Sequence, residues 1–159
     1  MIERHGSYND YEWLITFNLM GYRCGYVAIP SGHPLYEKDT KNFGFTIKCH
    51  NDITFTGHDL DSFSSDDWLI GFDCSHYPID AIDINSVERY FGDNAVESIK
   101  NQFDEYKFTG HAWTADEVED ELKNIINQII NSTPDKLIQL LQDLKQIEND
   151  FLSGKYKEK

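Results

Sequence analysis

The first half of the chain carries apolar patterns that predict β-strands. Residues 11–17 and 22–29 are rich in aromatic and β-branched side chains, and a Met-Gly turn signal separates them. Residues 43–50 alternate apolar with small or polar side chains, a period of two that is typical of a strand with one apolar face. We expect a short strand at residues 53–56 to pair with it across an Asn51-Asp52 turn.

One more stretch completes the predicted sheet. Residues 68–72 are apolar throughout, which indicates a central strand buried on both faces. The segment from Pro30 to Pro34 contains two prolines and a glycine, so we expect it to be irregular.

The last third has apolar residues at helical spacing and predicts two long helices. Thr114 and Glu117 form a Thr-x-x-Glu capping box ahead of an apolar stripe over residues 118–129. Thr133-Pro134 predicts a second N-cap with proline at the first helical position, and Gly154 ends the second stripe. We expect these helices to form an antiparallel hairpin.

Two shorter helices are predicted between the strands and the hairpin. The first would be capped by Asn85 or Ser86 and run through Tyr90, and the second would cover residues 94–103. The sequence therefore predicts an α+β fold, with a small antiparallel sheet of about four or five strands and a C-terminal helical hairpin.

The length fits a single domain over residues 1–159. Within it we distinguish a sheet-rich part at 8–80, a variable or inserted segment at 79–110 and the helical hairpin at 113–153. The second helix of the hairpin has a broad apolar stripe, so one side of it can pack within the chain while another packs on a second copy. We therefore expect a homo-oligomer, with complete coverage by the first helix as the alternative.

Charge and composition narrow the class of protein. The chain has 28 acidic and 14 basic side chains, a formal net charge of −14, and 14% aromatic residues, which argues against disorder. A negative surface repels nucleic acid backbones and anionic membranes, so we expect neither as a direct partner. No apolar run has the length of a membrane span and the N-terminus has no signal-like apolar region, so we expect a cytoplasmic location.

The cysteines and histidines do not match a known metal motif. Cys24, Cys49 and Cys74 are an odd number without close spacing, which favours free thiols in a reducing compartment. His50, His58 and His76 lie near several aspartates and are residue types that zinc sites use, but their spacing fits no zinc motif. We expect no metal and no cofactor, with these histidines bonding to backbone or carboxylate groups instead.

Polar and aromatic side chains cluster at the ends of three predicted strands, and we expect these ends to converge on one concave, partly apolar hollow. The aromatics can stack on a base, the histidines can contact phosphate, and the aspartate can accept hydrogen bonds from ribose hydroxyls. The alternative for the tryptophan is an ordinary core position. The candidate ligand-binding residues are His33, Tyr36, His50, Thr54, Trp68, Asp73, Ser75 and His76.

Four blocks of sequence carry a resemblance. Residues 25–34 read GYVAIPSGHP, residues 50–55 HNDITF, residues 68–76 WLIGFDCSH and residues 113–121 WTADEVEDE. In this order they resemble small phage-encoded proteins of no settled function that carry GYVx(I/V)PxGHP, HGG(I/L)T(F/Y), WW(I/V/F)GFDCAHxGD and WTxxxVxxE. The resemblance implies a phage or prophage origin and a shared polar site, and it supplies no established reaction.

The chain departs from that pattern in two places. Asn51-Asp52 replaces a pair of glycines, and residues 77–80 (YPID) replace a glycine and an aspartate after the second histidine. If those glycines let a ligand approach the backbone, that part of the site has changed here. Residues 79–110 resemble an insertion ahead of the Trp113 helix.

The leading hypothesis is a phage counter-defence protein that sequesters a small nucleotide-derived immune signal in the bacterial host cytoplasm. The sequence leaves catalysis undecided but leans against it. Cys74 with His76 would be a nucleophile pair, and Asp73 with His50 or His76 would be an acid–base pair for a nucleotide or phosphodiester hydrolase.

A further alternative is an acidic inhibitor that mimics nucleic acid and docks on a host defence protein. Acidic side chains cluster in one loop and at the start of one helix, where they also favour the helix dipole. The residues concerned are Asp59, Asp61, Asp66, Asp67, Glu117, Glu119, Asp120 and Glu121.

Overall fold

The computed structural model describes residues 1–60, 63–132 and 134–155 and has a five-stranded antiparallel sheet at its centre. The strands lie in the order β1-β2-β3-β5-β4, and every neighbouring pair is antiparallel. The predicted α+β class is confirmed. The strands are β1 Ile2–Tyr8, β2 Tyr11–Phe17, β3 Arg23–Ile29, β4 Phe55–Leu60 and β5 Phe63–Asp73, and the helices are α1 Ile84–Phe91, α2 Asp93–Gln102, α3 Ala115–Ser132 and α4 Pro134–Leu152.

Helix α3 covers one face of the sheet and forms the main core with it. Its apolar stripe is fully buried against β2 and β3, in a core that also contains Ile70 and Phe72 of β5 and Leu35 from the irregular loop. Gly25 on β3 makes this approach close, because a Cβ there would lie 2.9 Å from both Phe72 and Val118. The predicted apolar stripe is therefore confirmed, and it forms the side of α3 that faces the core. The buried stripe consists of Val118, Leu122, Ile125, Ile126 and Ile129.

The predicted strand at residues 43–50 is wrong. Phe43 and Ile47 are buried in the main core, but the segment pairs with no strand, and Gly44 has a φ of +80°. The backbone of Lys48 bonds instead to α3 side chains: its N–H donates to Gln128 Oε1 at 2.8 Å, and its carbonyl accepts from Gln128 Nε2 at 2.8 Å. The alternation of apolar and polar residues at 43–50 therefore reflects side chains that are buried beside α3, and not a strand that is paired in a sheet.

The edge strand β1 was not predicted from the sequence. It is rich in polar residues, and all of its positions are exposed or half-buried. It joins β2 through Asn9 and Asp10, which have φ values of +49° and +67°, as a tight hairpin turn requires. The partner of β5 is β4, which begins at Phe55, so the predicted strand at residues 53–56 is displaced toward the C-terminus.

The predicted helices are confirmed, with one change of cap. Asp83, rather than Asn85 or Ser86, caps α1, because its carboxylate accepts from the Ser86 N–H at 3.1 Å. Helices α1 and α2 enclose a separate apolar cluster around Phe17 at the end of β2. The segment treated as an insertion therefore adds a small core of its own.

The C-terminal helices form the predicted hairpin-like end. The capping box is present: Glu117 N–H donates to Thr114 Oγ1 at 3.2 Å, and Thr114 N–H donates to Glu117 Oε2 at 2.9 Å. Helix α4 begins at Pro134, and Gly154 follows its end with a φ of +81°. The proposed cap at Thr133 lies outside the described residues.

A buried arginine joins the sheet to the helices. Arg23 is 3% exposed, and its guanidinium donates five hydrogen bonds of 2.7–3.0 Å. Glu3 accepts two of them and Asp83 accepts one, and the remaining acceptors are the Trp113 carbonyl and Ser86 Oγ. All the donors of a guanidinium are thereby used, which is what a buried arginine needs.

The same network shifts the pKa values of Arg23, Glu3 and Asp83. Burial opposes the charge on Arg23, but the bonds to Glu3 and Asp83 outweigh it and raise the pKa of the guanidinium. Against the effect of burial, the bonds from Arg23 lower the pKa of both carboxyls. The network is therefore held in its charged form.

We predict that Arg23→Gln lowers the free energy of unfolding by about 3–5 kcal/mol, because two carboxylates lose their buried partner. Arg4→Gln is the matched control, since Arg4 pairs with Asp116 and Glu119 from a half-exposed position and should cost no more than about 1 kcal/mol. Urea denaturation measures both values. Equal losses in the two variants would contradict the central role of Arg23.

We also predict that the difference between the native protein and Arg23→Gln depends on pH. The stability that Glu3 and Asp83 contribute is fully present above their ordinary pKa values of 4.5 and 3.8, and it is lost as the pH falls through the lowered folded-state values. The urea midpoints should therefore differ most near neutral pH, and the difference should begin to narrow as the pH falls below about 4. A difference that stays constant from neutral pH to pH 3 would refute the assignment.

Candidate functional site

Asp80 is the centre of a polar cluster beside the end of β5. Its side chain is 0% exposed and accepts three hydrogen bonds. His50 Nε2 donates to Oδ1 at 2.7 Å, and Asn51 Nδ2 and the His76 backbone N–H donate to Oδ2 at 3.0 and 2.8 Å. One carboxylate thus connects the loop before β4 with the loop after β5. We call Asp80, His50, Asn51, His76 and Trp113 the Asp80 cluster.

Local sequence explains how the loop before β4 reaches Asp80. Asn51 and Asp52 both adopt left-handed backbone conformations, with φ values of +58° and +60°. Asparagine and aspartate tolerate this region better than other non-glycine residues, so they can replace the glycines of the resembling proteins. A turn is present at Asn51-Asp52, but it does not join two paired strands as predicted, because residues 43–50 form no strand. The turn directs His50 and Asn51 toward the buried carboxylate.

His50 is also held by an aromatic ring. Its imidazole lies on Trp113, with the ring centroids 4.2 Å apart and the planes 32° from parallel. With Nε2 bound to Asp80, the Nδ1 atom makes no hydrogen bond to the described residues. The orientation of the imidazole is therefore fixed from two sides, while one nitrogen stays available for another group.

Asp73, Thr54 and Ser75 form a branch next to this cluster. The Asp73 carboxylate accepts from Thr54 Oγ1 at 3.0 Å and from both the N–H and the hydroxyl of Ser75. Asn51 links the branch to Asp80 by donating to the Asp73 carbonyl at 3.2 Å. Five of the eight candidate residues therefore lie in one neighbourhood: His50, Thr54, Asp73, Ser75 and His76.

The other three candidates lie near the end of β3, where Trp68 of β5 pairs with Ile29. Trp68 Nε1 donates to the Lys38 carbonyl at 2.8 Å, and the Tyr36 hydroxyl donates to the Asp66 carbonyl at 3.1 Å. His58 contacts both rings edge-on, at 5.1 Å from Trp68 and 5.5 Å from Tyr36. His58 therefore belongs with the aromatic pair and not with His50 and His76.

His33 follows the end of β3, on the same side of the sheet edge as the start of β2. It contacts Tyr11 at the start of β2, with a 2.8 Å bond to the phenol oxygen, and its Nδ1 accepts from the Leu35 N–H. Since the Leu35 N–H occupies Nδ1, Nε2 is the nitrogen that faces Tyr11. This histidine shapes the loop after β3.

The expectation that all these strand ends converge on one hollow is wrong. Trp68 pairs with Ile29 at the end of β3, whereas Asp73 pairs with Cys24 near its start. The two positions are five residues apart on one strand, a separation of about 16 Å. They also face opposite sides of the sheet, since Trp68 packs on the α3 core and side chains alternate along β5.

The cysteines do not have the character of nucleophiles. Burial raises the pKa of Cys24 to about 11 and that of Cys49 to about 12. Burial also raises the pKa of Cys74, which is 1% exposed. Thiols with raised pKa values are not thiolates at neutral pH, which disfavours the Cys74–His76 pair as a catalytic site.

A concave groove lies on the sheet face opposite α3. It has a volume of about 500 Å³, an apolar floor that includes Leu14 and Ala28, and His5, Glu12 and Asp67 among its polar lining. Two carboxylates disfavour a polyphosphate there, so the groove suits a neutral or cationic ligand better than a nucleotide.

The described residues contain no group of three or more histidine, cysteine or acidic side chains placed to hold a metal ion. A search of the same residues for a helix long and apolar enough to cross a bilayer also found none. Comparisons with protein-family models, with curated proteins and with solved structures found no match to this chain. The resemblance to phage-encoded proteins therefore stays a prediction.

Sequence reasoning missed the residue on which the cluster depends. Asp80 lies one residue beyond the position that an aspartate has after the second histidine in the resembling pattern. That departure was visible in the sequence, but only the fold shows that the carboxylate still reaches His50. Asn51 and Trp113 were also visible in the motif blocks, and nothing in their spacing indicated that they contact the same group.

We predict that Asp80→Asn lowers the free energy of unfolding by about 1–3 kcal/mol, because an amide cannot accept all three donors and leaves at least one unpaired. Asp52→Asn, at an exposed turn position where asparagine fits the backbone, should change it by less than about 0.5 kcal/mol. Urea denaturation compares the two variants. An Asp80→Asn variant as stable as the control would show that the hydrogen bonds to Asp80 do not contribute to the stability of the fold.

Proposed function

We propose that the protein binds and sequesters a small nucleotide-derived molecule at the Asp80 cluster, as a phage counter-defence protein acting in the bacterial cytoplasm. The main support is that parts of three resembling sequence blocks meet there. His50 comes from the block at residues 50–55, His76 from the block at 68–76 and Trp113 from the block at 113–121. They meet through Asp80 and ring stacking. Residues far apart in sequence are thus brought to one polar, aromatic location.

The groups left open at the cluster suit such a ligand. The exposed imidazole of His76 makes no hydrogen bond to the described residues, and neither does Nδ1 of His50. The His76 imidazole can donate to a phosphate oxygen, and the open Nδ1 of His50 can accept a hydrogen bond from a ribose hydroxyl or a base N–H. The partly exposed Trp113 ring offers apolar surface to a base. Since hydrogen bonds to Asp80 fix His50 and the His76 backbone in advance, little order has to be gained on binding.

The thiols and hydroxyls that could act as nucleophiles favour sequestration of the ligand over catalytic turnover. The thiols have raised pKa values, and the hydroxyls of Thr54 and Ser75 both donate to Asp73. A protein that only needs to remove a signal requires tight binding and no chemistry.

A hydrolase is the second candidate, because the His50–Asp80 pair has the geometry of a histidine oriented by a buried carboxylate. In that arrangement the carboxylate holds one ring nitrogen and the other can take a proton from water or a hydroxyl. His50 Nδ1 would be that general base.

The acidic inhibitor is less well supported at the start of α3. Glu117 closes the capping box and also contacts His111, and Arg4 pairs with both Asp116 and Glu119. These carboxylates have partners within the chain, so fewer of them are left to imitate phosphates. Asp59 and Asp61 have side chains outside the described part of the structure, so the loop cluster stays a prediction.

We expect purified protein to bind at least one member of a panel of cyclic mono-, di- and trinucleotides and ADP-ribose derivatives, as measured by native mass spectrometry and calorimetry. His76→Ala should weaken that binding at least about 10-fold without changing stability, because an exposed imidazole is lost. His5→Ala, which removes an exposed histidine from the concave groove, is the matched control.

The ligand recovered after heat denaturation should be chemically intact. Recovery of a cleaved product that His50→Ala fails to generate would establish the hydrolase instead. Loss of binding in His5→Ala but not in His76→Ala would move the site to the groove, and no binding across the panel would refute sequestration of a nucleotide.

A further inference from the structure

The sheet face opposite α3 carries a second apolar cluster, and the concave groove lies over it. Leu14, Tyr26, Ala28 and Leu69 form this cluster, which is separate from the main core because side chains alternate along each strand. Leu14 and Ala28 line the groove, whose volume is about 500 Å³. Ala28 has the smallest side chain of the four, so it leaves room above the sheet that a larger residue would fill.

Two carboxylates stand on either side of Ala28. The register of β2 with β3 places Glu12 beside it. Ala28 also pairs with Leu69 of β5, and Asp67 lies two residues earlier on the same face of the sheet. Both carboxylates line the groove. Since β2 and β5 flank β3, the backbones that carry the two carboxylates are about 10 Å apart across the sheet.

The groove has acidic groups but no basic side chain to neutralise them. The described residues that line it include no lysine or arginine, and Glu12 has no hydrogen-bond or ion-pair partner in the described part of the chain. By contrast, the polar cavity between β1, α1 and the start of α3 has three arginines and three acidic residues in its lining. A negative potential over apolar surface selects a cation that also has an apolar part.

We propose that the groove binds an aliphatic diamine or polyamine. One ammonium group pairs with Glu12 and another with Asp67, while the methylene chain between them covers the apolar floor at Leu14 and Ala28. A metal cation has the charge but gains nothing from that floor. A monoamine leaves one carboxylate without a cation.

Two further groups of the groove suit ammonium ligands. An imidazole nitrogen of His5 and the hydroxyl of Ser7 both line it and can accept hydrogen bonds from N–H donors. Both residues are exposed and follow the same face of β1, because His5 pairs with Leu14 and Ser7 pairs with Glu12. An ammonium group beside Glu12 therefore has more than one acceptor within the groove.

The groove does not depend on the Asp80 cluster. Asp73, which is joined to that cluster, lies six residues beyond Asp67 along β5, a separation of about 20 Å. Diamine binding is therefore a separate property of the chain, and its measurement does not involve the proposed nucleotide.

Isothermal titration calorimetry with cadaverine and spermidine tests the site. Each should bind once per chain, and pentylamine, which keeps the carbon chain of cadaverine with a single charge, should bind at least about 10-fold more weakly. The variant Glu12→Gln/Asp67→Asn should weaken both diamine and polyamine binding at least about 10-fold, because charge-assisted hydrogen bonds are lost. The matched control is Glu97→Gln/Asp120→Asn, which removes the same charges from exposed helix positions and should bind like the native chain.

The shape of the groove is tested by Ala28→Leu. This change fills the space above the sheet without altering the charge, so it should also weaken cadaverine binding at least about 10-fold. Circular dichroism verifies that each variant keeps the fold, and the amide variant provides the test if the larger side chain disturbs it.

The following results would overturn the proposal. Absence of binding to the native chain would exclude the site. Equal losses in the groove and control variants would show that the amines only neutralise the overall negative charge. Equal affinity for cadaverine and pentylamine would exclude the pairing of two ammonium groups, and displacement of cadaverine by an equal concentration of Mg²⁺ would show that the apolar floor contributes nothing.

Discussion

The burial of one guanidinium constrains the arrangement of the whole chain. Arg23 is buried away from water, so each of its donors needs an acceptor from the protein. The acceptors come from β1, from α1 and its cap, and from Trp113, two residues before α3. The bond to the Trp113 carbonyl positions that tryptophan, its ring supports His50, and His50 reaches Asp80. The candidate site is thus the end of a chain of contacts that begins with a structural charge inside the sheet.

The separation of the polar residues into two neighbourhoods changes how the site is understood. At one end of β5, side chains from two loops bind a common carboxylate and leave imidazole nitrogens open. Five residues back along β5, Trp68 donates to a backbone carbonyl, as does Tyr36, and both contact His58, which is the behaviour of groups that hold loops in place. The chemical case for a ligand therefore rests on the Asp80 cluster, and the aromatic pair is accounted for by local structure.

Strands and helices with strong local patterns could be predicted from the sequence. The apolar run at Trp68–Phe72 and the capping box at Thr114 are decided by nearby residues, and both are confirmed. The segment at 43–50 has an equally regular pattern, yet its backbone is bound by side chains of α3 that lie some 80 residues away. Whether that segment forms a strand depends on tertiary contacts. The same holds for Asp80, because the spacing of residues along the chain does not indicate which three groups donate to its carboxylate.

The single carboxylate of Asp80 has a consequence for motion in the native state. Since the turn at Asn51 and the loop at His76 share one acceptor, neither can open without leaving buried polar groups of the other unpaired. The two loops therefore form one cooperative opening unit, and amide hydrogens in both should exchange with a common opening free energy. A molecule bound between them would slow that exchange in both loops at once.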